Sequence, residues 1–320
     1  MSELDSRTRR AFLGEAAAGV GLAALAAGTA PGGEGEATEA MPRVKLGRHE
    51  VTRLIVGSNP ILGYSHVSGL MSRVMTDYYT PERIQQLLRR CLEVRINTWQ
   101  TSAHERVDEA LRTLREGGSD IQWIFLASQP HLGDAAALRD IVERNKPIAV
   151  VHHGGVSDAL WRQGKIEQAH DFAKRVKDLG LLAGLSAHNP DVIRHAEDKG
   201  WELDLYMACF YQVTRTAEEL KKGFGMAEVP LGAAWLPGDP GRMCAVIRQV
   251  KRPCLAFKIL AAGRRCERPA DVEAAFKFAF ENIKTTDAVI VGMFPRYRDE
   301  AGENAAHVRR FAGLSVANAG

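Results

Sequence analysis

The stretch Ile148 to Gly155 reads IAVVHHGG. Four apolar residues stand between Pro147 and the pair Gly154-Gly155, a pattern typical of a short parallel strand that is covered on both faces. Two adjacent histidines follow at the end of this strand. Because parallel strands of α/β proteins present their chemistry at the carboxyl end, the segment predicts a site built from several neighbouring strand ends.

Seven further apolar runs of the same kind follow from residue 41 onward, and amphipathic segments alternate with them. The eight runs cover residues 53–60, 96–102, 123–130, 148–155, 181–190, 205–212, 254–263 and 288–294. Helical patterns cover 81–93, 107–115, 135–144, 166–179, 191–199, 241–250, 270–283 and 303–311. This rhythm predicts an α/β fold, a (β/α)8 TIM barrel forming one domain over residues 41–320. An open doubly wound sheet is the alternative, although no GxGxxG follows the first strand.

Two connections are longer than the usual few residues, 59–80 after the first strand and 213–240 after the sixth. In a barrel both belong to the mouth, so they are predicted to be walls or lids over the site. An interface loop is the alternative for either one.

Composition and charge exclude several classes of protein. The chain has 320 residues, is 45% hydrophobic and 25% charged, and carries a formal charge of +3. Residues 1–40 contribute −3, so the remainder carries a scattered +6, which does not indicate nucleic-acid binding. The five cysteines are odd in number and show no CxxC spacing, so neither a disulfide framework nor a thiolate zinc site is predicted.

Residues 1–40 are predicted to be an export signal and linker rather than part of the fold. Arg9 and Arg10 lie in SRTRRAFL, which resembles a twin-arginine motif, and an apolar segment from Ala16 to Ala27 follows. The alternative is a disordered basic tail. The apolar segment is too short to span a membrane stably. The interpretation implies the twin-arginine export machinery as a partner and a periplasmic or extracellular location.

The order of motifs over residues 42–312 resembles the aldo/keto reductase superfamily. The similar segments are PRVKLG at 42–47, VTRLIVG at 51–57, INTWQTS at 96–102, GLS at 184–186 and the stretch from Gly292 to Asn304. The resemblance implies a barrel enzyme that uses NADP. It also implies that Ser186 contacts the nicotinamide, and that Arg296 or Arg298 binds the cofactor phosphate.

The catalytic residues of that superfamily are replaced. Gln100 stands where the family has aspartate, Glu105 where it has its tyrosine acid, and Gln129 where it has lysine. One of His152 or His153 is the only match. Without the tyrosine and the lysine, the usual proton donor to a carbonyl and the group that lowers its pKa are missing, which argues against that mechanism of hydride transfer.

Polar residues concentrate instead at the predicted strand ends, where six of the ten histidines fall. Imidazole and carboxylate suit divalent metals, so Glu105, His153 and His188 are candidate ligands of zinc, iron or manganese, with His152 in place of His153 if it faces the lumen. The alternative is a wet barrel mouth that binds no metal. Candidate substrate-binding residues are Asn59, His66, Gln100, Gln129 and Tyr211.

Lys258 lies in the apolar run AFKILAAG, where a lysine could bind an oxyanion, act as a base or form a Schiff base. An ion pair with a lumen acid such as Glu105 is the alternative. The predicted catalytic set is therefore Glu105, His153, His188 and Lys258.

The leading hypothesis is an exported barrel that performs metal-assisted acid/base chemistry on a carbohydrate or hydroxy-carbonyl, such as epimerisation, isomerisation or elimination. A second hypothesis is an oxidoreductase with tightly held NADP. A third is a barrel that binds a glycan or partner without turning it over.

Overall fold

A computed structural model describes residues 40–316. The predicted export signal therefore lies outside the described residues, apart from Ala40. Within 40–316, no helix is both long and apolar enough to cross a membrane.

Eight parallel strands form a closed barrel. The strands are β3 (Leu54–Gly57), β4 (Thr98–Thr101), β5 (Gln122–Ala127), β6 (Ala149–His152), β7 (Leu182–Ala187), β8 (Leu205–Cys209), β9 (Cys254–Phe257) and β10 (Ala288–Gly292). They follow one another around the barrel in chain order, and β10 pairs with β3 to close it. Seven of the eight predicted runs contain one of these strands, and β5 begins one residue before its run. The closed ring confirms the TIM barrel and excludes the open doubly wound sheet.

An antiparallel hairpin covers the amino-terminal end of the barrel. It consists of β1 (Arg43–Leu46) and β2 (His49–Thr52). Val44, Leu46 and Val51 join the apolar cluster inside the barrel, and the Glu50 carbonyl accepts hydrogen bonds from side chains at the start of β4 and β5. This end is therefore filled with side chains, so the opening is at the carboxyl ends of the strands.

Amphipathic helices cover the outside of the barrel. They are α1 (Gly69–Tyr78), α2 (Pro81–Glu93), α3 (Glu105–Glu116), α4 (Ala135–Asn145), α5 (Gly154–Arg162), α6 (Glu167–Asp178), α7 (Pro190–Asp198), α8 (Ala217–Phe224), α9 (Asp239–Gln249), α10 (Pro269–Asn282) and α11 (Glu300–Phe311). Helix α2 shows how the sequence specifies them: Thr80 caps it, Pro81 opens it, and Ile84, Leu87, Leu88 and Cys91 form its buried stripe.

Three helices lie where the sequence predicted loops or a strand end. Helices α1 and α8 lie within the two long mouth connections, and α1 buries none of its residues. Helix α5 begins directly after the two histidines, and its buried residues are Gly154, Ser157 and Asp158. Because these residues are small or polar, the usual apolar period that marks a helix is absent from this segment.

Candidate active site

The two adjacent histidines at the end of β6 face opposite sides of the barrel wall. Ala149 and Val151 point into the barrel, and Val150 points toward the helices, so the alternation sends His152 outward. Its ring lies 5.5 Å from that of Phe172 on α6, and its Nδ1 lies 2.8 Å from Ser157 Oγ. Burial lowers the pKa of His152 to about 4. The ring of His152 thus packs in the helix layer and does not face the lumen.

His153 caps the first turn of α5 instead. Its Nδ1 accepts a hydrogen bond from the backbone N–H of Gly155 at 3.2 Å. Burial first, and then the nearby charges of His188 and Lys258, lower the pKa of His153. A neutral imidazole whose Nδ1 accepts carries its proton on Nε2. His153 therefore has an N–H to donate.

His188, directly after β7, forms a buried pair with Asp158 of α5. Its Nδ1 lies 2.9 Å from Asp158 Oδ2, and Asp158 is fully buried. The carboxylate also accepts hydrogen bonds from the backbone N–H groups of His188 and Asn189 and from the Thr214 hydroxyl at 2.8 Å. These contacts fix the imidazole with its proton on Nδ1, so Nε2 is left as an acceptor.

The two histidines consequently have complementary roles in their neutral forms. His188 can accept a proton at Nε2, and His153 can donate one from Nε2. Burial lowers the pKa of His188 below its ordinary value; the hydrogen bond with Asp158 opposes this shift, and Lys258 reinforces it. Both imidazoles are therefore neutral at neutral pH, which suits an acid and a base that work together.

Gly154 allows this arrangement by its lack of a side chain. A Cβ at this position would lie 2.8 Å from Ser186 Oγ, 3.2 Å from His188 Cε1 and 3.3 Å from His188 Nδ1. The glycine thus lets α5 pack directly against the Ser186 hydroxyl and the His188 ring. Ser186, predicted to contact a cofactor, is buried beside the Asp158 and His188 pair.

Lys258 follows β9 with a left-handed backbone, φ 59°. Its ammonium lies 5.0 Å from the centre of the Phe257 ring, whose other neighbour is the His188 ring at 5.5 Å. Within residues 40–316 this ammonium forms no hydrogen bond or ion pair. The predicted alternative, an ion pair with Glu105, is therefore absent there.

Residues from both long connections meet at the mouth. Asn59 Nδ2 lies 3.1 Å from His66 Nε2, and the ring of His66 faces that of Trp235 at 6.4 Å. Arg264 stacks on Trp235 at 4.3 Å and donates to the carbonyl of His66. Desolvation first, and then Lys258, His188 and Arg264, lower the pKa of His66 to about 4, although its side chain reaches solvent.

Of the remaining predicted substrate contacts, two line the opening and one lies apart. Tyr211 is buried with its ring 5.2 Å from Trp235. Gln100 pairs in register with the inward-facing Ile124, so it points into the barrel, and its amide forms no hydrogen bond within residues 40–316. Gln129 is exposed, and its Oε1 lies beside Gly133 in the next loop.

The predicted metal ligands do not converge within residues 40–316. Glu105 is the exposed first residue of α3, and no hydrogen bond or ion pair joins it to His153 or His188 in that range. Among residues 40–316, no group of three or more histidine, cysteine, aspartate or glutamate side chains is arranged to hold a metal ion. The metal prediction and the catalytic role of Glu105 depended on strand-end residues converging. Glu105 instead starts a helix, where an acidic side chain is stabilised by the helix dipole.

In the loop after β10, several polar groups are engaged by carboxylates of the same segment. Arg298 is paired with Glu303 at 2.7 Å, and the Phe294 N–H donates to Glu300 at 2.7 Å. Asp299 caps α11 and binds Arg90 at 2.6 Å. Arg296 lies 5.6 Å from the Tyr297 ring and forms no ion pair within residues 40–316. NADP binding remains a prediction from the resemblance.

Two residues of the site were not predicted. Asp158 and Thr214 lie in segments without a recognisable motif, yet together they orient His188. One signal could have identified Asp158. It lies four residues after Gly154, on the same face of α5, which must pack against the barrel. An acid on a buried helix face needs a hydrogen-bonding partner, and the partner here is a histidine.

No protein-family model matches this sequence, and no curated protein matches it. Solved structures are similar in fold. Gox0644 in its apoform is 11% identical with a TM-score of 0.50, over 87% of this chain and 95% of its own. The aldo-keto reductase AKR11C1 from Bacillus halodurans (holo form) is 15% identical with a TM-score of 0.49, over 86% and 98%. The glycerol dehydrogenase AKR11B4 from Gluconobacter oxydans is 11% identical with a TM-score of 0.49, over 86% and 91%.

At these identities the likeness concerns the fold alone. In this chain that fold is a closed barrel of eight parallel strands. The site chemistry must therefore be argued from this chain's own residues.

Proposed function

We propose that this barrel catalyses proton transfer on a hydroxy-carbonyl compound or carbohydrate, in an epimerisation, isomerisation or elimination. The observation that supports it is the buried Asp158–His188 pair near the ammonium of Lys258, which has no hydrogen bond or ion pair within residues 40–316. A base oriented by a buried carboxylate, next to a cation that can stabilise a developing oxyanion, is the arrangement that enolisation requires.

In the proposed mechanism, His188 Nε2 removes a proton from the carbon next to a carbonyl. The electrons of the broken C–H bond move to the carbonyl oxygen, where Lys258 stabilises the negative charge. His153 donates its Nε2 proton, either to the oxygen or to a hydroxyl that leaves as water. Return of a proton to another face or another carbon gives an epimer or an isomer.

Asp158 acts through His188 rather than on the substrate. Its carboxylate holds the imidazole in the tautomer that leaves Nε2 unprotonated, and it stabilises the imidazolium that forms during the reaction. Gln100 lies on the inner wall with an uncommitted amide, so it is suited to hold a substrate hydroxyl.

The test measures hydrogen exchange rather than product, because exchange reports the proton-transfer step for any substrate. The full chain is incubated in D2O with a panel of aldoses, ketoses, uronates and hydroxy acids, without added metal or nicotinamide, and deuterium uptake is followed by mass spectrometry. We expect uptake into at least one compound class. His188→Gln and Lys258→Met should each reduce its rate by about a hundredfold or more.

His49→Gln on the hairpin at the closed end is the matched control and should exchange at the wild-type rate. Undiminished exchange in His188→Gln would contradict the assignment. Binding without exchange would favour a non-catalytic barrel. Exchange that appears only after NADP is added would favour the oxidoreductase.

The proposal extends to location, supported by the SRTRRAFL motif alone. Replacing Arg9 and Arg10 together by lysine should retain the protein in the cytoplasm of a host with twin-arginine export. The full-length chain carrying Arg296→Lys is the control. Equal export of the double variant would contradict this part of the proposal.

A further inference from the structure

Two cations at the open end of the barrel have no acidic partner. Lys258 forms no ion pair, and Arg264 donates only to the carbonyls of Ala261 and His66, within the residues that the structure describes. Asp158, the carboxylate bound to His188, has both oxygens engaged by His188, Asn189 and Thr214. Within the described residues, no carboxylate therefore forms an ion pair with Lys258 or Arg264.

The backbone holds both cations in place. Lys258, Ala261 and Ala262 all have left-handed backbones, at φ 59°, 49° and 51°. Side-chain-bearing residues rarely adopt this conformation, and such outliers concentrate where a site requires a particular geometry. The Ala261 N–H donates to the Lys258 carbonyl at 2.8 Å, which closes the turn that leads to Arg264.

Aromatic rings orient the two cations and connect them to the catalytic pair. The Phe257 ring lies between the Lys258 ammonium and the His188 ring. Trp235 packs against the Arg264 guanidinium and faces His66. The turn from Lys258 to Arg264, closed by hydrogen bonds from the Ala261 N–H to the Lys258 carbonyl and from the Arg264 N–H to the Ala261 carbonyl, brings the two residues to one loop. Both cations also contribute to the lowered pKa of His66, after desolvation.

We propose that the mouth between Lys258 and Arg264 binds an anionic group of the substrate, a carboxylate or a phosphate, so that the substrate of the proton transfer is an acidic compound. The assignment of this anion to a substrate rests on the proposed function; the anion site itself does not. Lys258 can serve an enolate and an adjacent carboxylate together, since an ammonium has three donors. Uronates, hydroxy acids and sugar phosphates are the classes that fit.

The test measures anion binding directly, without turnover. The full chain is titrated at pH 7.5 with sodium acetate and, separately, with inorganic phosphate, while sodium chloride keeps the ionic strength constant. The ring signals of His66 and His188 are followed by NMR. We expect saturable shifts of these signals with at least one of the two anions, and the tighter of the two identifies carboxylate or phosphate.

Three variants locate the site. Lys258→Met and Arg264→Met should each weaken binding by about tenfold or more, because each removes a charge-assisted contact, whereas Lys258→Arg should bind within a few-fold of the wild type. Lys45→Met, on the exposed hairpin at the closed end, is the matched control and should bind as the wild type does. Since Arg264 lies at the surface, its variant tests the site even if the Lys258 variant folds poorly.

Absence of saturable shifts with both anions would overturn the proposal. Equal binding by the wild type, Lys258→Met and Arg264→Met would overturn it as well. Anion binding should persist in His188→Gln. A protein that binds anions but exchanges no hydrogen would therefore contradict the proposed reaction and leave the anion site standing. Exchange confined to neutral sugars would support the reaction and contradict the acidic substrate class.

Discussion

Two lysines lie at opposite ends of the barrel in contrasting surroundings. Lys284, near the amino-terminal end, is 1% exposed; its ammonium lies 3.1 Å from Asp287 and donates to the Ile247 carbonyl at 2.7 Å. Lys258, at the carboxyl end, has no such partner in the described residues. The ammonium of Lys284 is thus bound within the fold, whereas that of Lys258 is available to a ligand.

Other polar side chains at the two ends of the barrel differ in the same way. Arg53 at the closed end donates to the carbonyls of Asp287, Ala312 and Lys284 and to the Ser315 hydroxyl. At the open end, the Gln100 amide, the Lys258 ammonium and the Nε2 atoms of His153 and His188 have no hydrogen bond within residues 40–316. Polar groups that are buried to hold a fold are paired, so unpaired polar groups around an opening indicate a binding site.

The largest expected effect is a difference in the free energy of unfolding between variants of the two lysines. Lys284→Met leaves the buried Asp287 carboxylate without its cation and should lower the free energy of unfolding by about 3–5 kcal/mol. Lys258→Met should change it by less than about 1 kcal/mol, because only the contact with the Phe257 ring is lost and no hydrogen bond or ion pair within the described residues. Urea unfolding of the two variants measures both. Equal destabilisation would mean that Lys258 is also a structural residue.

The next effect is the dependence of stability on pH, to which the buried His152 contributes. Burial lowers the pKa of His152 to about 4 in the fold, against about 6.5 when unfolded. The unfolded chain therefore binds more protons between these values, so stability falls as pH falls from about 6.5 toward 4, by about 3 kcal/mol for this group. In His152→Gln this part of the acid sensitivity should vanish.

Urea unfolding at several pH values between 7 and 4.5 measures that slope. His49→Gln at the closed end is the control and should keep most of the wild-type slope. An unchanged slope in His152→Gln would contradict the buried position of this histidine.

A smaller effect concerns the glycine between β6 and α5. In Gly154→Ala the new methyl group meets Ser186 Oγ and the His188 ring, so we expect a stability loss of about 1–2 kcal/mol and at least tenfold slower proton transfer. Gly241→Ala, where a Cβ meets open space within α9, is the control and should be neutral or slightly stabilising. Wild-type exchange in Gly154→Ala would show that His188 tolerates displacement.

The smallest effect is expected at the loop after β10. Arg298 and Glu303 form an exposed ion pair, so Arg298→Ala should change the free energy of unfolding by less than about 1 kcal/mol. It should also leave hydrogen exchange unchanged. If Arg298 held a cofactor phosphate, as the resemblance implied, the variant would instead lose affinity for NADP in a fluorescence titration.

The barrel fold could be predicted from the amino-acid sequence alone. Short apolar runs that alternate with amphipathic segments are local patterns, and the buried stripe of α2 or the capping Thr80 can be recognised without knowing any distant contact. Eight repeats of one unit leave few ways to bury all the apolar faces. The strand ends could likewise be predicted, so His153, His188 and Lys258 were found as candidates.

The direction and the hydrogen-bonding partner of each candidate side chain depend on contacts between distant segments, so they could not be predicted from the sequence. His152 and His153 are adjacent in sequence, and their opposite directions depend on where β6 ends and α5 begins. Asp158 and His188 are thirty positions apart, so their pairing depends on α5 packing against β7. The predicted metal ligands do not meet in the described residues for the same reason, because Glu105 starts a helix instead of turning inward. Local propensity acts over a few residues, whereas a catalytic pair requires side chains from separate elements to reach hydrogen-bonding distance.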